Sequence, residues 1–281
     1  MWTDGIAITM AVFVGLGVIL LILVAALFAV HRNTPIVKAA GGNLSFLAML
    51  SLLACFCSVA VGLSEPTEVT CKISTPLFLM AFTICIACIL ANLLQIYVGF
   101  RFHVKLDKTL KRFNKPAMIV SVCAGVQGVV CALWLTLYPP HKVISYHHET
   151  KIIITCHYGS WTLSLVMYIY VGFLSLVCFI FAYKGRRLPD LYKNARYVTV
   201  SMLVYLVVCI LFIPFSLAST HMSRQGVFAC ALLVSTYSVF LCHFAPKCYI
   251  IVFKRDMNNE NAITEYIRNH YQKQTITVVS S

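Results

Sequence analysis

Cysteine is the residue type in this chain whose chemistry can be tested most directly from spacing. Thirteen cysteines occur among the 281 residues, and several form close pairs of the kind that bind metals. These pairs are Cys55/Cys57, Cys85/Cys88 and Cys242/Cys248. A closed metal site needs about four ligands, and each pair lies in apolar sequence without a second pair of ligands nearby. The spacing therefore predicts no metal site and no cofactor.

Ionisable side chains are the other candidates for chemistry. Enzymes and ion-coupled carriers that work inside a membrane keep such groups at mid-membrane depth, because desolvated charge is costly. Here every Asp, Glu, Lys and Arg lies in a loop or at the end of an apolar run, and no Gly-x-Ser-x-Gly or His–Glu metal motif occurs. We therefore expect that the chain is not an enzyme. A channel with a hydrophobic gate is compatible with the same pattern.

Seven apolar runs contain or flank the cysteines and ionisable residues described above. Apolar residues make up 60% of the chain and charged residues 11%, a balance that soluble domains do not show. Each run has the roughly 20 residues that cross a bilayer. The predicted spans are Ile6–Val30, Leu44–Leu63, Ile73–Phe100, Ala117–Tyr138, Ser160–Tyr183, Tyr197–Ser219 and Val227–Phe253. The sequence therefore predicts an all-α fold, a seven-transmembrane helix bundle.

The net charge of +13 is distributed unevenly around these spans. Of the 22 Lys and Arg residues, all but four lie in alternate loops, near the end of the seventh span or in the C-terminal tail. The four exceptions are Lys72, Lys142, Lys151 and Arg224. Because positive charge accumulates on the cytoplasmic side, the N-terminus is expected outside the cell and the C-terminus in the cytoplasm. The excess indicates attraction to membrane lipid and no nucleic-acid partner.

The predicted outer surface carries two cysteines and a histidine-rich loop. Cys71 opens the third span and Cys156 ends the loop Pro139–His157, so both face the oxidising side and can pair. Two free thiols are the alternative. The same loop contains His141, His147, His148 and His157. These histidines are compatible with proton sensing or zinc binding, although a solvated loop is the commoner role of such a cluster.

Aromatic side chains are the candidates for a pocket inside the bundle. Phe78 and Phe82 lie one helical turn apart on the third span, and Phe228 lies on the seventh. Phe212 lies two residues before Pro214, which is expected to kink the sixth span. Such side chains can line an apolar cavity, although helix packing is the commoner role of each.

Several short strings occur in order at the depths that this topology requires. They are Asn33-Thr34-Pro35-Ile36-Val37-Lys38, Thr70-Cys71-Lys72, Ile154-Thr155-Cys156-His157, Arg187-Leu188-Pro189, Phe212-Ile213-Pro214 and Pro246-Lys247-Cys248-Tyr249. Together they resemble class C G-protein-coupled receptors over nearly the whole chain. Within that class the likeness is nearest to the calcium-sensing, taste and vomeronasal branch.

The resemblance implies a plasma-membrane receptor that acts on a heterotrimeric G protein and forms a homo- or heterodimer with another class C receptor. A chemosensory role is implied for this branch. Members usually carry a large extracellular ligand-binding module, whereas residues 1–5 resemble only the end of its stalk. We therefore expect a bundle at residues 6–253 and a cytoplasmic tail at 254–281, without that module. A channel or passive carrier and a truncated, non-signalling fragment are the alternatives.

The resemblance also implies roles for individual residues. The allosteric pocket of the family falls on Phe78, Phe82, Cys209, Phe212 and Phe228, and Cys209 replaces a tryptophan that is usual in relatives. A resting-state switch falls on Asn92 and Asn194, where relatives often have a Lys–Glu salt bridge. The face for the G protein falls on Arg186, Arg187, Leu188, Pro189 and Lys247.

Overall fold

The structure, a computed structural model, describes residues 4–101, 115–147, 151–157, 159–186, 194–218 and 221–254. The helices are α1 (Asp4–Val30), α2 (Pro35–Ala39), α3 (Asn43–Leu63), α4 (Glu68–Arg101), α5 (Pro116–Leu137), α6 (Trp161–Gly185), α7 (Asn194–Ala218) and α8 (His221–Phe253). Two strands, β1 (His141–His147) and β2 (Lys151–His157), lie between α5 and α6.

The long helices correspond to the predicted spans. Over their described residues, α1, α3, α4, α5, α6 and α8 are long and apolar enough to cross a membrane, and α7 has a shorter apolar stretch, Ala195–Leu211. Apolar side chains cover these helices on most sides, as expected of segments that face either lipid or other helices. The predicted fold class, an all-α seven-helix membrane bundle, is confirmed.

Helix α4 occupies the centre of the bundle. In its most apolar stretch 78% of residues are buried, compared with 22% in α1 and in α5. It packs against α3, α5 and α6, while α1 and α8 also pack against α3. A ring contact between Phe82 and Tyr205 joins α4 to α7. A displacement of α4 would therefore change packing contacts in most of the bundle.

The connection between α1 and α3 is a compact unit rather than an open loop. Gly41 and Gly42 have φ angles of 110° and 54°, which glycine adopts without steric cost. This geometry lets the Gly42 N–H donate to the Val37 carbonyl at 3.0 Å, a common way to end a helix. The Ser45 hydroxyl donates to the Ala40 carbonyl at 2.8 Å, which ties the turn to α3.

The segment between α5 and α6 differs from the loop that the sequence suggested. Strands β1 and β2 pair antiparallel, with His141 opposite His157 and His147 opposite Lys151. The run Ile152–Ile154 favours this arrangement, because β-branched residues suit a pleated strand. Strand β1 contacts α4, so the base of the hairpin has a defined position relative to the bundle.

A close approach of three helices at Gly17 gives a first testable prediction. A Cβ atom added at Gly17 would lie 2.5 Å from the Phe56 ring and 2.9 Å from the Tyr237 hydroxyl, whereas one at Gly15 meets nothing within 4 Å. We expect Gly17→Ala to be less stable than Gly15→Ala by about 1–3 kcal/mol, because overpacking forces neighbouring side chains to move. Unfolding of both variants in detergent micelles measures the difference, and equal stabilities would contradict this packing.

Candidate functional site

The N-terminal end of α4 is attached to the β1–β2 hairpin at two points. Cys71 in the first turns of α4 forms a disulfide bond with Cys156 of β2, with 5.5 Å between the Cα atoms. The Glu68 carboxylate accepts a hydrogen bond from the Lys142 N–H of β1 at 3.2 Å. Since the cross-link closes a chain separation of 85 residues, it restricts both the unfolded chain and the position of the hairpin.

Aromatic rings fill the bundle below this attachment. Phe78 and Phe82 are buried and stack with ring centroids 5.3 Å apart. Phe82 also contacts the buried Tyr205 ring of α7 at 4.9 Å. Tyr205 was not among the residues identified from sequence. Its position one turn before Cys209, on the same face of α7, is the signal that could have identified it.

The structure describes the surroundings of two of the three remaining predicted pocket residues. Phe228 of α8 packs edge-on against Tyr168 of α6 at 6.2 Å between ring centroids. Cys209 is half-buried and packs against the core, and the side chain of Phe212 lies outside the described part. The proposed role of these five residues as one pocket therefore stays a prediction.

A cavity of about 40 Å³ lies closer to the disulfide than the predicted pocket does. Cys71, Ser74, Cys156 and Phe228 are among its lining residues, which come mainly from α3, α4 and α8. This volume suits a few water molecules, since drug-sized ligands need about 300 Å³ or more. The prediction that a lipophilic modulator binds among the phenylalanine rings therefore does not rest on this cavity.

The stacked rings give a second prediction. We expect Phe82→Leu to weaken binding of a lipophilic modulator about tenfold. The change removes contacts between the Phe82 ring and the modulator, and aromatic contacts are worth about 0.5–1.5 kcal/mol each. Leucine keeps the site apolar, so the protein should remain folded. Phe173→Leu is the matched control, since Phe173 is 61% exposed on α6. Radioligand competition on both variants measures the effect, and equal affinities would place the pocket elsewhere.

At the opposite end of α4, Asn92 is buried against the connection between α1 and α3. Its amide donates to the Ala39 carbonyl at 3.4 Å, and the position of a Cβ on Gly41 lies 3.4 Å from the Asn92 amide carbon. Asn194 is the first residue of α7, and its side chain lies outside the described part. The structure thus gives Asn92 a backbone partner that the sequence did not indicate, and the predicted pairing with Asn194 stays a prediction.

The residues predicted to face a G protein have different environments. Arg186 is exposed beside Tyr183, with 5.7 Å between its guanidinium carbon and the ring centroid. The segment Arg187–Pro189 lies outside the described residues. Lys247 is buried in α8, where its ammonium donates to the His243 Nε2 atom at 2.9 Å. The predicted role of these residues at a face for the G protein stays a prediction.

Comparison with known proteins identifies the class to which this bundle belongs. A family model described as "7 transmembrane sweet-taste receptor of 3 GCPR" matches residues 1–247. The goldfish G-protein coupled receptor family C group 6 member A is 38% identical over 274 residues, which are 97% of this chain and 31% of that receptor. The chain belongs to the class C family of G-protein-coupled receptors, whose members lie in the plasma membrane.

Other relatives come from the branch that the sequence motifs resembled. The bovine extracellular calcium-sensing receptor is 36% identical over 262 residues, covering 92% of this chain and 24% of that receptor. The mouse vomeronasal type-2 receptor 26 is 35% identical over 236 residues, covering 83% of this chain and 28% of that receptor. The chain thus spans about a third or less of the curated relatives it matches, and these relatives are receptors by name.

Proposed function

We propose that this chain is the transmembrane signalling domain of a class C receptor, which transmits motion of an extracellular module to a heterotrimeric G protein. The single observation that supports this proposal is the continuity of α4, which carries Cys71 near one end and Asn92 near the other. Twenty-one residues of helix span about 32 Å, roughly the thickness of the hydrocarbon core. A push on the hairpin is thereby transmitted to the connection between α1 and α3.

The proposed topology has the N-terminus outside the cell and the C-terminus in the cytoplasm. The distribution of Lys and Arg supports it through the positive-inside rule. The disulfide agrees, because such bonds persist on the oxidising side of a membrane. In this orientation the hairpin faces an extracellular module, and Asn92 lies at the cytoplasmic surface.

We further propose a chemosensory role in which a separate extracellular module binds the agonist. The names of the relatives, which include calcium-sensing and vomeronasal receptors, support this class of stimulus. A homo- or heterodimer with another class C receptor is the expected assembly, and the exposed Arg186 and neighbouring basic residues are the expected contact with the G protein.

Grafting a relative's extracellular part onto this chain tests the proposal. The part of the bovine calcium-sensing receptor that precedes its match to this chain would be joined to Thr3, and G-protein activation would be measured in cells as external calcium rises. We expect calcium-dependent activation. A chimera that reaches the cell surface but gives no response at any calcium concentration, alone or with a second class C receptor, would contradict the proposal.

A further inference from the structure

Two histidines form a cross-strand pair at the base of the β1–β2 hairpin. His141 begins β1, His157 ends β2, and the two residues lie directly opposite each other in the antiparallel register. Their ring centroids are 5.1 Å apart, with the ring planes inclined at 36°. Both residues are exposed, so an ion in solution can reach them.

The spacing of the two rings matches shared coordination of one metal ion. With Zn–N bonds of about 2.1 Å and a tetrahedral angle, two imidazole centroids bound to one ion lie about 5 Å apart. The observed 5.1 Å agrees with this value. Antiparallel pairing holds the two Cα atoms at a fixed separation, so little conformational freedom is lost when an ion binds.

Hydrogen bonds at the two Nδ1 atoms indicate that each histidine would bind the ion through its Nε2 atom. The His141 Nδ1 atom lies 3.4 Å from the Pro139 carbonyl and therefore carries a proton, which leaves the Nε2 lone pair available. The His157 Nδ1 atom accepts the Gly159 N–H at 3.3 Å. Coordination through His157 Nε2 requires its proton to move to Nδ1, so metal binding and the Gly159 hydrogen bond exclude each other.

The ligand set favours a transition metal over calcium. Imidazole nitrogen suits Zn²⁺ and Cu²⁺, whereas Ca²⁺ takes six to eight oxygen ligands. Among the described residues no group of three or more metal-binding side chains occurs, so water would complete the coordination sphere. Such a site binds and releases its ion reversibly, unlike a structural zinc site with four protein ligands.

We propose that His141 and His157 form a two-histidine site for Zn²⁺ on the outer surface of this receptor domain. Because His157 follows Cys156 in the sequence, the bound ion would clamp the base of the hairpin next to its disulfide link to α4. The Glu68–Lys142 hydrogen bond joins the same base to α4 a second time. Extracellular zinc would thus act on the element that the proposed function uses to transmit motion.

Zinc titration of the full chain tests this site without a G protein, so its outcome is separate from that of the proposed function. The protein would be purified without a polyhistidine tag, reconstituted in nanodiscs and titrated with Zn²⁺ by calorimetry. We expect one saturable site. His141→Ala and His157→Ala should each weaken it at least tenfold, because each removes one of the two protein ligands, and the double variant should show no saturable site.

His147→Ala is the matched control, since His147 lies at the other end of β1 opposite Lys151. It should bind Zn²⁺ as the parent does. Electron paramagnetic resonance of bound Cu²⁺ gives an independent reading of the ligand count, with coupling to two imidazole nitrogens in the parent and one in each single variant. Parent-like Zn²⁺ binding by both His141→Ala and His157→Ala, or no saturable site in the parent, would overturn the proposal.

Discussion

Replacing Cys71 and Cys156 together by serine is expected to lower the free energy of unfolding by about 2–4 kcal/mol, because the unfolded chain regains the freedom of a long loop. The structure shows why function should suffer as well. The disulfide is the covalent link between the hairpin and α4, and the Glu68–Lys142 hydrogen bond is solvent-exposed and cannot replace it. Thermal unfolding in nanodiscs measures the loss.

Cys57→Ala is the control for this experiment, because Cys57 is a free and exposed cysteine on the membrane-spanning helix α3 and alanine keeps the position apolar. It should unfold within about 0.5 kcal/mol of the parent, because an exposed side chain contributes little to packing. The single variants Cys71→Ser and Cys156→Ser should each lose as much stability as the double variant, since either change breaks the same bond. A double variant as stable as the parent would show that the cross-link does not constrain the bundle.

Rebuilding a charged pair at Asn92 and Asn194 is expected to lower basal signalling about tenfold, a shift of about 1.4 kcal/mol in the equilibrium between closed and open states. A neutral hydrogen bond contributes about 0.5–1.5 kcal/mol, and a charge-assisted bond is roughly twice as strong. The native asparagines should therefore hold the closed state weakly, so that basal activity is raised. The variant that tests this is Asn92→Lys combined with Asn194→Glu.

The single variants show whether residues 92 and 194 contact each other or affect basal activity independently. Asn92→Lys removes the hydrogen bond to the Ala39 carbonyl and leaves one unpartnered charge, and Asn194→Glu alone also leaves an unpartnered charge. Each should therefore lower basal activity less than the pair. A G-protein reporter in cells, normalised to surface expression, measures all three. If the double variant equals the sum of the two singles, the residues do not meet and this switch is absent.

The spans were predictable from sequence because their signal is local. A run of about 20 apolar residues is sufficient to predict a membrane helix. The predicted third span, Ile73–Phe100, was nevertheless shorter than the observed α4, which begins at Glu68. The polar residues Glu68, Thr70 and Lys72 interrupt the hydropathy pattern, yet they form the helical turns that hold the hairpin. Hydropathy identifies the part of a helix in lipid and not its continuation into water.

The environments of individual site residues were not predictable, because they depend on contacts between distant segments. Asn92 donates to the carbonyl of Ala39, which lies 53 residues away in the sequence. Lys247 was predicted at the face for the G protein, and nothing in the sequence indicated that its ammonium is buried and donates to His243 one turn earlier. The pairing of His141 with His157 likewise depends on strand register, which the loop sequence alone does not define.

The central claim, that this domain acts on a G protein, is tested most directly by nucleotide exchange with purified components. The chain in nanodiscs would be mixed with heterotrimeric G proteins of each class, and release of labelled GDP would be followed over time. We expect at least one class to release GDP faster than with empty nanodiscs, even without agonist, because the predicted Asn92–Asn194 pair would hold the closed state weakly. The claim would be contradicted if GDP release equalled that of empty nanodiscs for every class and ions or small solutes crossed liposomes that contain the chain. That result would identify a channel or carrier instead.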